Sequence, residues 1–202
     1  MTPSDSREQL LAALGHAAPA SSDYDLTPGL RRPGNRELRP AAVLMAVQQG
    51  REGPEVILTK RSSRLQHHPG QIAMPGGKPD PQDDGPESTA LREAQEEIGL
   101  QAANVEVLGR LSVHETVTGF RVVPVLGHVR APFEPVAEAG EVAEVFTVPL
   151  THLCDLSRFR VERRRWLGQW REYDVVPYGP YYIWGATARM LRGLAERMAA
   201  CG

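Results

Sequence analysis

Apolar positions along the chain follow two rhythms, one helical and one alternating, and the switches between them mark out the elements. Leu10, Leu11 and Leu14 recur at helical spacing behind a capping-box pattern at Ser6 and Gln9, and Gly15 ends that short helix. Over residues 17–40 the rhythm stops. Pro19, Pro28, Pro33, Pro40, Gly29 and Gly34 punctuate an extended arm, expected to lie against the domain or reach a partner chain. Residues 41–48 and 55–60 read as strands joined by turn chemistry from Gly50 to Pro54, hence a hairpin. A loop rich in glycine and proline runs over 62–84, and 88–97 is helical, with Gly99 as its stop. Further strands are expected over 105–111, 120–129 and 145–148. Residues 159–166 and 169–176 flank Leu167-Gly168 as a second hairpin. A long final helix spans 183–199, with Ala186, Met190, Leu191, Leu194 and Met198 on its inner face. Strands and helices alternate irregularly, without an internal repeat, which predicts a mixed α/β fold.

Composition narrows the setting. A chain of 202 residues, 41% hydrophobic and 24% charged, suits one α/β domain with modest extensions. A net charge of −2 gives no global attraction to nucleic acid or an anionic membrane. The two cysteines, Cys154 and Cys201, lack zinc-ligand spacing. There is no apolar signal core and no apolar run approaching the ~20 residues of a membrane span. A cytoplasmic protein, with no membrane partner, is therefore expected.

The chemistry concentrates in Leu91-Arg92-Glu93-Ala94-Gln95-Glu96-Glu97-Ile98-Gly99-Leu100. On a helix Glu93, Glu96 and Glu97 stand at i, i+3 and i+4 and crowd one face, while Leu91, Ala94 and Ile98 supply an apolar arc beside it. Like charges at those spacings repel, and a hard divalent cation, Mg²⁺ or Mn²⁺, would reverse the sign. Alone, the run reads equally well as a solvated acidic face. Pro75-Gly76-Gly77 adds weight to the metal reading, because paired glycines let backbone approach a ligand and a glycine carbonyl can itself ligate a metal.

Turn and helix together resemble the signature of the Nudix hydrolase family. Its second half is matched in full by Arg92 through Leu100. Its first half departs: six residues separate Gly77 from Asp84, and aspartate stands where glutamate is usual. Asp80-x-x-Asp83, then Thr89-Ala90-Leu91-Arg92-Glu93, resembles the coenzyme A pyrophosphatase branch. So does the upstream Ile57-Leu58-Thr59-Lys60-Arg61-Ser62, with Gln66, Gly70 and Met74-Pro75-Gly76-Gly77. Ile57, Gln66 and Met74 replace the branch's usual leucine, arginine and phenylalanine. The likeness runs from about Pro40 to Leu194, which divides the chain into an arm over 1–39 and a Nudix domain over 40–202. It implies an α/β/α sandwich with a mixed β-sheet between helices.

The resemblance also implies roles. Glu93, Glu96 and Glu97, with the Gly76 carbonyl, would hold Mg²⁺ or Mn²⁺, and Arg92 would hold Glu97. The general base is a glutamate of the signature or one from a later loop, Glu141 or Glu144. Lys60, Arg61 and Arg64 would meet the 3′-phosphate or diphosphate of a coenzyme A-type substrate, or else form a solvated strand end. The implied reaction is hydrolysis of coenzyme A or acyl-CoA to 3′,5′-ADP and 4′-phosphopantetheine or its acyl derivative. Its rivals are hydrolysis of another nucleoside diphosphate derivative, such as ADP-ribose, a dinucleotide or a capped RNA, and a non-catalytic module of the same fold. His67 and His68 read as loop residues, and His114 has no visible partner. Arg163, Arg164 and Arg165 read as an outward hairpin strand rather than an RNA site, and Tyr181 and Trp184 as packing around the final helix rather than an adenine shelf. The arm makes a homodimer the expected assembly.

Overall fold

The computed structural model describes residues 3–29, 37–166 and 168–201; Pro33 and Gly34 of the arm and Leu167 of the hairpin turn lie outside them. Two long strands form its centre, β2 (Arg39–Gln49) and β8 (Phe120–Val129), and they run parallel. β3 (Pro54–Arg61) pairs antiparallel with β2 only over Val47–Gln49, so the two strands part beyond that point. Into the gap comes β5 (Gly76–Gly77), paired with Ala42 and Val43 of β2, while the Leu44 amide donates to the Pro75 carbonyl at 2.8 Å. A Cβ on Gly76 would overlap the Ala42 carbonyl oxygen and Val43, so only glycine fits this insertion.

The sheet continues outward on both sides. β4 (Ile72–Ala73) and β9 (Val142–Pro149) pair with β3, and β6 (Val105–Arg110) and β7 (His114–Glu115) pair with β8. The central strands β2, β3 and β8 carry runs of consecutive buried residues, so both of their faces are apolar, the sign of a sheet covered on both sides. Ala42, Leu44, Ala46, Ile57 and Val125 face α2 (Pro86–Ile98), through Ala90, Ala94 and Ile98. Met45, Val47, Leu58 and Leu126 share a core with the other helices, α1 (Pro3–Gly15), α3 (Leu150–Cys154) and α4 (Ala186–Ala200). The result is the expected α/β/α sandwich. A separate hairpin, β10 (Arg160–Trp166) with β11 (Gln169–Val175), lies where the sequence put it. Among the described residues no helix is long and apolar enough to cross a membrane.

Boundaries moved where tertiary contacts intervene. α1 begins at Pro3, so Ser6 is no cap but a buried helical residue, and Leu10 and Ala13 carry the buried stripe. α4 begins at Ala186, not 183, because Val176 donates to the Ile183 carbonyl and Trp184 bridges to Val175 in extended conformation.

The arm lies against its own domain. β1 (Ser21–Ser22) adds a parallel strand beside β7, and Asp23 plunges inward. The Asp23 carboxylate accepts the Val117 amide at 2.8 Å and pairs with Arg171 of β11 at 2.7 Å. His114, with no partner visible in sequence, is fully buried here, its Nδ1 2.9 Å from the Ser21 hydroxyl and its Nε2 3.4 Å from Asp23. Burial alone would raise the Asp23 carboxyl, but His114, Arg171 and the Val117 amide hold it below its ordinary value.

Candidate functional site

α2 is set by local chemistry. Gly85 caps it, with Ser88 accepting the Gly85 amide at 3.0 Å, Pro86 occupies the first turn, and Gly99 in left-handed conformation (φ 73°) closes it. The apolar arc Ala90, Ala94 and Ile98 is drawn onto the sheet, and that fixes the rotation of the helix about its axis. Glu97 turns toward the sheet with only 5% of its surface exposed, where the Gly76 amide donates to its carboxylate. Glu93 reaches over Gly77, where a Cβ would overlap its carboxylate, and its side chain is 15% exposed. Glu96 lies farthest out, 58% exposed.

Burial and like charge dominate the electrostatics. The Glu97 carboxyl is pushed up to about 8, chiefly by desolvation and then by the charge of Glu93, with Glu141 adding and Arg61 opposing. Glu93 is raised as well, first by burial, while Arg92 pulls it back. Arg61 and Arg92 do not offset the burial of two mutually repelling carboxylates, whose oxygen donors suit a hard divalent cation. As they stand, no three His, Cys, Asp or Glu side chains among the described residues are arranged to hold a metal. The Arg92 guanidinium holds Glu93 at 3.0 Å and Glu96 at 2.8 Å.

Arg92 therefore does not hold Glu97, as the resemblance implied. Arg92 and Glu96 are one helical turn apart on the same side, whereas Glu97, five positions on, faces the sheet. The strongest partner of Arg92 is one the sequence reading left without a role. Asp83 accepts from Nε at 3.2 and 3.3 Å and from Nη2 at 3.1 Å. Its place in Asp80-x-x-Asp83 was the available signal.

The two candidate bases separate cleanly. After α2 the chain folds back along the helix end, Val136 donating to the Ile98 carbonyl at 3.0 Å and Glu138 to that of Glu97 at 2.9 Å. This brings Glu141 close enough for its charge to raise both Glu93 and Glu97. Glu144 is not brought there. It pairs across the sheet with Lys60, in step with Leu58 and Phe146, on the face away from α2. The Tyr181 hydroxyl donates to it at 2.5 Å, and the Tyr181 ring stacks on Phe146 at 3.6 Å.

The basic cluster divides by the same alternation. Lys60 projects with Glu144, away from the carboxylate helix. A register shift between Lys60 and Arg61 sets Arg61 opposite Val142, where its charge reaches Glu97. The Arg61 Nε is buried and has no acceptor among the described residues. Arg64 is exposed in the following loop, its amide on the Ser62 hydroxyl. His68, in left-handed conformation (φ 56°), is held below its ordinary value by partial burial and then by Arg61. Trp184 packs against Tyr173 and under Arg164, which agrees with a packing role.

Comparison with known proteins gives concordant results. Residues 38–169 match the family model described as NUDIX domain. A protein of Enterobacter sp. (strain 638), "Uncharacterized Nudix hydrolase NudL", is 41% identical over 160 residues, covering 78% of this chain and 81% of its own. Its namesake in Yersinia pestis (strain Pestoides F) is 38% identical over 161 residues, or 80% of each chain. A solved MutT/nudix family protein from Enterococcus faecalis shares the fold, with a TM-score of 0.51 over 99% of this chain and 76% of that one at 17% identity.

Proposed function

The chain belongs to the Nudix hydrolase family, and from that premise we propose that it hydrolyses the diphosphate of coenzyme A or acyl-CoA with the help of Mg²⁺ or Mn²⁺. The observation that carries this reading is the meeting of Glu93, Glu97 and Glu141 with Arg61, whose buried Nε has no acceptor among the described residues. Carboxylates for a cation and a guanidinium for a phosphate then stand side by side, as hydrolysis of a charged diphosphate requires.

Glu93, Glu96 and Glu97 would hold the cation, with the Gly76 carbonyl. When bound, Mg²⁺ or Mn²⁺ supplies charge neutralisation and polarisation of the phosphoryl group. Arg61 binds the diphosphate through its unsatisfied N–H. Glu141, exposed and next to the buried pair, accepts the proton of the attacking water as the anhydride P–O bond breaks. Arg64, farther along the loop, meets the 3′-phosphate. Lys60 has no part in this, since it lies on the other face. The products are 3′,5′-ADP and 4′-phosphopantetheine or its acyl form.

Gln66, where the coenzyme A branch carries arginine, favours one other reading, a Nudix hydrolase of ADP-ribose, a dinucleotide or a capped RNA. Incubation with Mg²⁺ and a panel of these compounds, followed by product masses, decides between them. Coenzyme A should be cleaved fastest, EDTA should abolish the activity, and Mg²⁺ or Mn²⁺ should restore it. Faster cleavage of ADP-ribose than of coenzyme A would establish the rival, and full activity in chelated buffer would overturn the cation-dependent mechanism.

A further inference from the structure

Arg92 stands between the carboxylates and any cation. Its Nη1 donates to Glu96 at 2.8 Å, and its Nη2 donates to Glu93 at 3.0 Å and to the Lys78 carbonyl at 2.9 Å. Both glutamates must turn from it to ligate a cation. Arg92–Glu96 is an exposed i,i+4 pair, a weak contact that is readily given up. Asp83 is different. Its side chain is 5% exposed, it engages Nε and Nη2 together, and the Asp80 amide holds its carboxylate at 2.8 Å. Asp83 also sits on the loop before α2 rather than on the helix, so it stays in place when Glu93 and Glu96 turn.

We infer that Asp83 is a positioning residue for cation loading: it retains the Arg92 guanidinium when Glu93 and Glu96 swing to the cation, so both carboxylates are released without leaving the partly exposed guanidinium free to compete for them. The inference rests on the reading of α2 as the cation site. Without Asp83, the nearest carboxylates left to Arg92 are the ones the cation needs, and guanidinium and cation compete for them. The Arg92 interaction, with the Asp80 amide, also holds the Asp83 carboxyl down at about 2.

The test is Mn²⁺ binding to the full chain, read as free Mn²⁺ by electron paramagnetic resonance without substrate. Asp83→Asn should weaken Mn²⁺ affinity tenfold or more, and Asp83→Glu should recover part of it. Removing the competitor as well, in Asp83→Asn/Arg92→Gln, should return affinity toward the unsubstituted protein. A structural role alone would make that double variant worse than Asp83→Asn. Unchanged affinity in Asp83→Asn, or a double variant as weak as the single one, overturns the inference. Should Asp83→Asn fail to fold in EDTA, Arg92→Gln alone carries the test: affinity equal or tighter supports competition, and a tenfold weakening refutes it. If the unsubstituted protein binds no Mn²⁺, or Glu97→Gln binds it equally well, the cation reading of α2 has failed, a result distinguishable because it involves no Asp83 variant.

Discussion

At the scale of single residues, Glu97 is a carboxyl held almost entirely out of water. Its folded pKa of about 8 lies above its ordinary 4.5, so the folded state binds the proton more tightly than the unfolded chain. The metal-free protein should therefore lose stability as pH rises from about 5 through 8, by up to about 1.4 kcal/mol per unit, and level off above. Melting curves in EDTA between pH 5 and 9 should show this slope, and Glu97→Gln should flatten it while cutting turnover by orders of magnitude. A pH profile unchanged by the substitution would mean that Glu97 is not buried as described. Glu141 and Glu144 permit a paired comparison. Glu141→Gln should lower kcat by about 10²–10⁴, the usual loss of a general base. Glu144→Gln, on the far face and bonded to Tyr181, should stay within a few-fold. Reversed outcomes would return the base to Glu144.

At the scale of elements, the arm shows what holds a proline-rich segment in place. Its two-residue strand and scattered contacts at Ala18 and Thr27 are supplemented by Asp23 meeting Arg171 and His114 in a buried cluster. Asp23→Asn would leave the Arg171 guanidinium buried without its carboxylate, and breaking such a pair costs about 3–5 kcal/mol. Denaturant melts should register that loss, and limited proteolysis should cut within residues 17–29 under conditions where the unsubstituted protein resists. Equal stability and equal resistance would show that the cluster does not secure the arm.

At the scale of the whole molecule, the proposed substrate sets the demand on charge. The 3′-phosphate of coenzyme A brings extra negative charge, and a charge-assisted contact to it contributes about 1.5–3 kcal/mol. The protein should then prefer coenzyme A over dephospho-coenzyme A by about tenfold or more in kcat/KM, by the usual conversion of free energy to rate. Arg64→Ala should shrink that preference and spare the dephospho compound. Arg61→Ala should slow both, because Arg61 stands beside the carboxylates and not at the distal end. Equal kcat/KM for the two compounds in the unsubstituted protein would remove the 3′-phosphate from recognition.

Much of this protein was legible in sequence because the relevant physics is local. Helical periodicity alone put Glu93, Glu96 and Glu97 within one turn of each other on α2, Gly99 marked its end, and the glycine pair marked a backbone insertion before its neighbours were known. The second hairpin was equally plain from its Leu167-Gly168 turn, and β8 from its continuous apolar run. What tertiary structure decided was every question with a distant partner. Strand alternation places Lys60 and Arg61 on opposite faces, but only the pairing with β9 and its register shift shows which face holds the carboxylates, and with it the separation of Glu141 from Glu144. Arg92 chose among the nearby carboxylates by the path of the preceding loop, and His114 found its partner 93 residues away on the arm. Spacing along the chain determines which side chains share a face; only packing determines what that face meets.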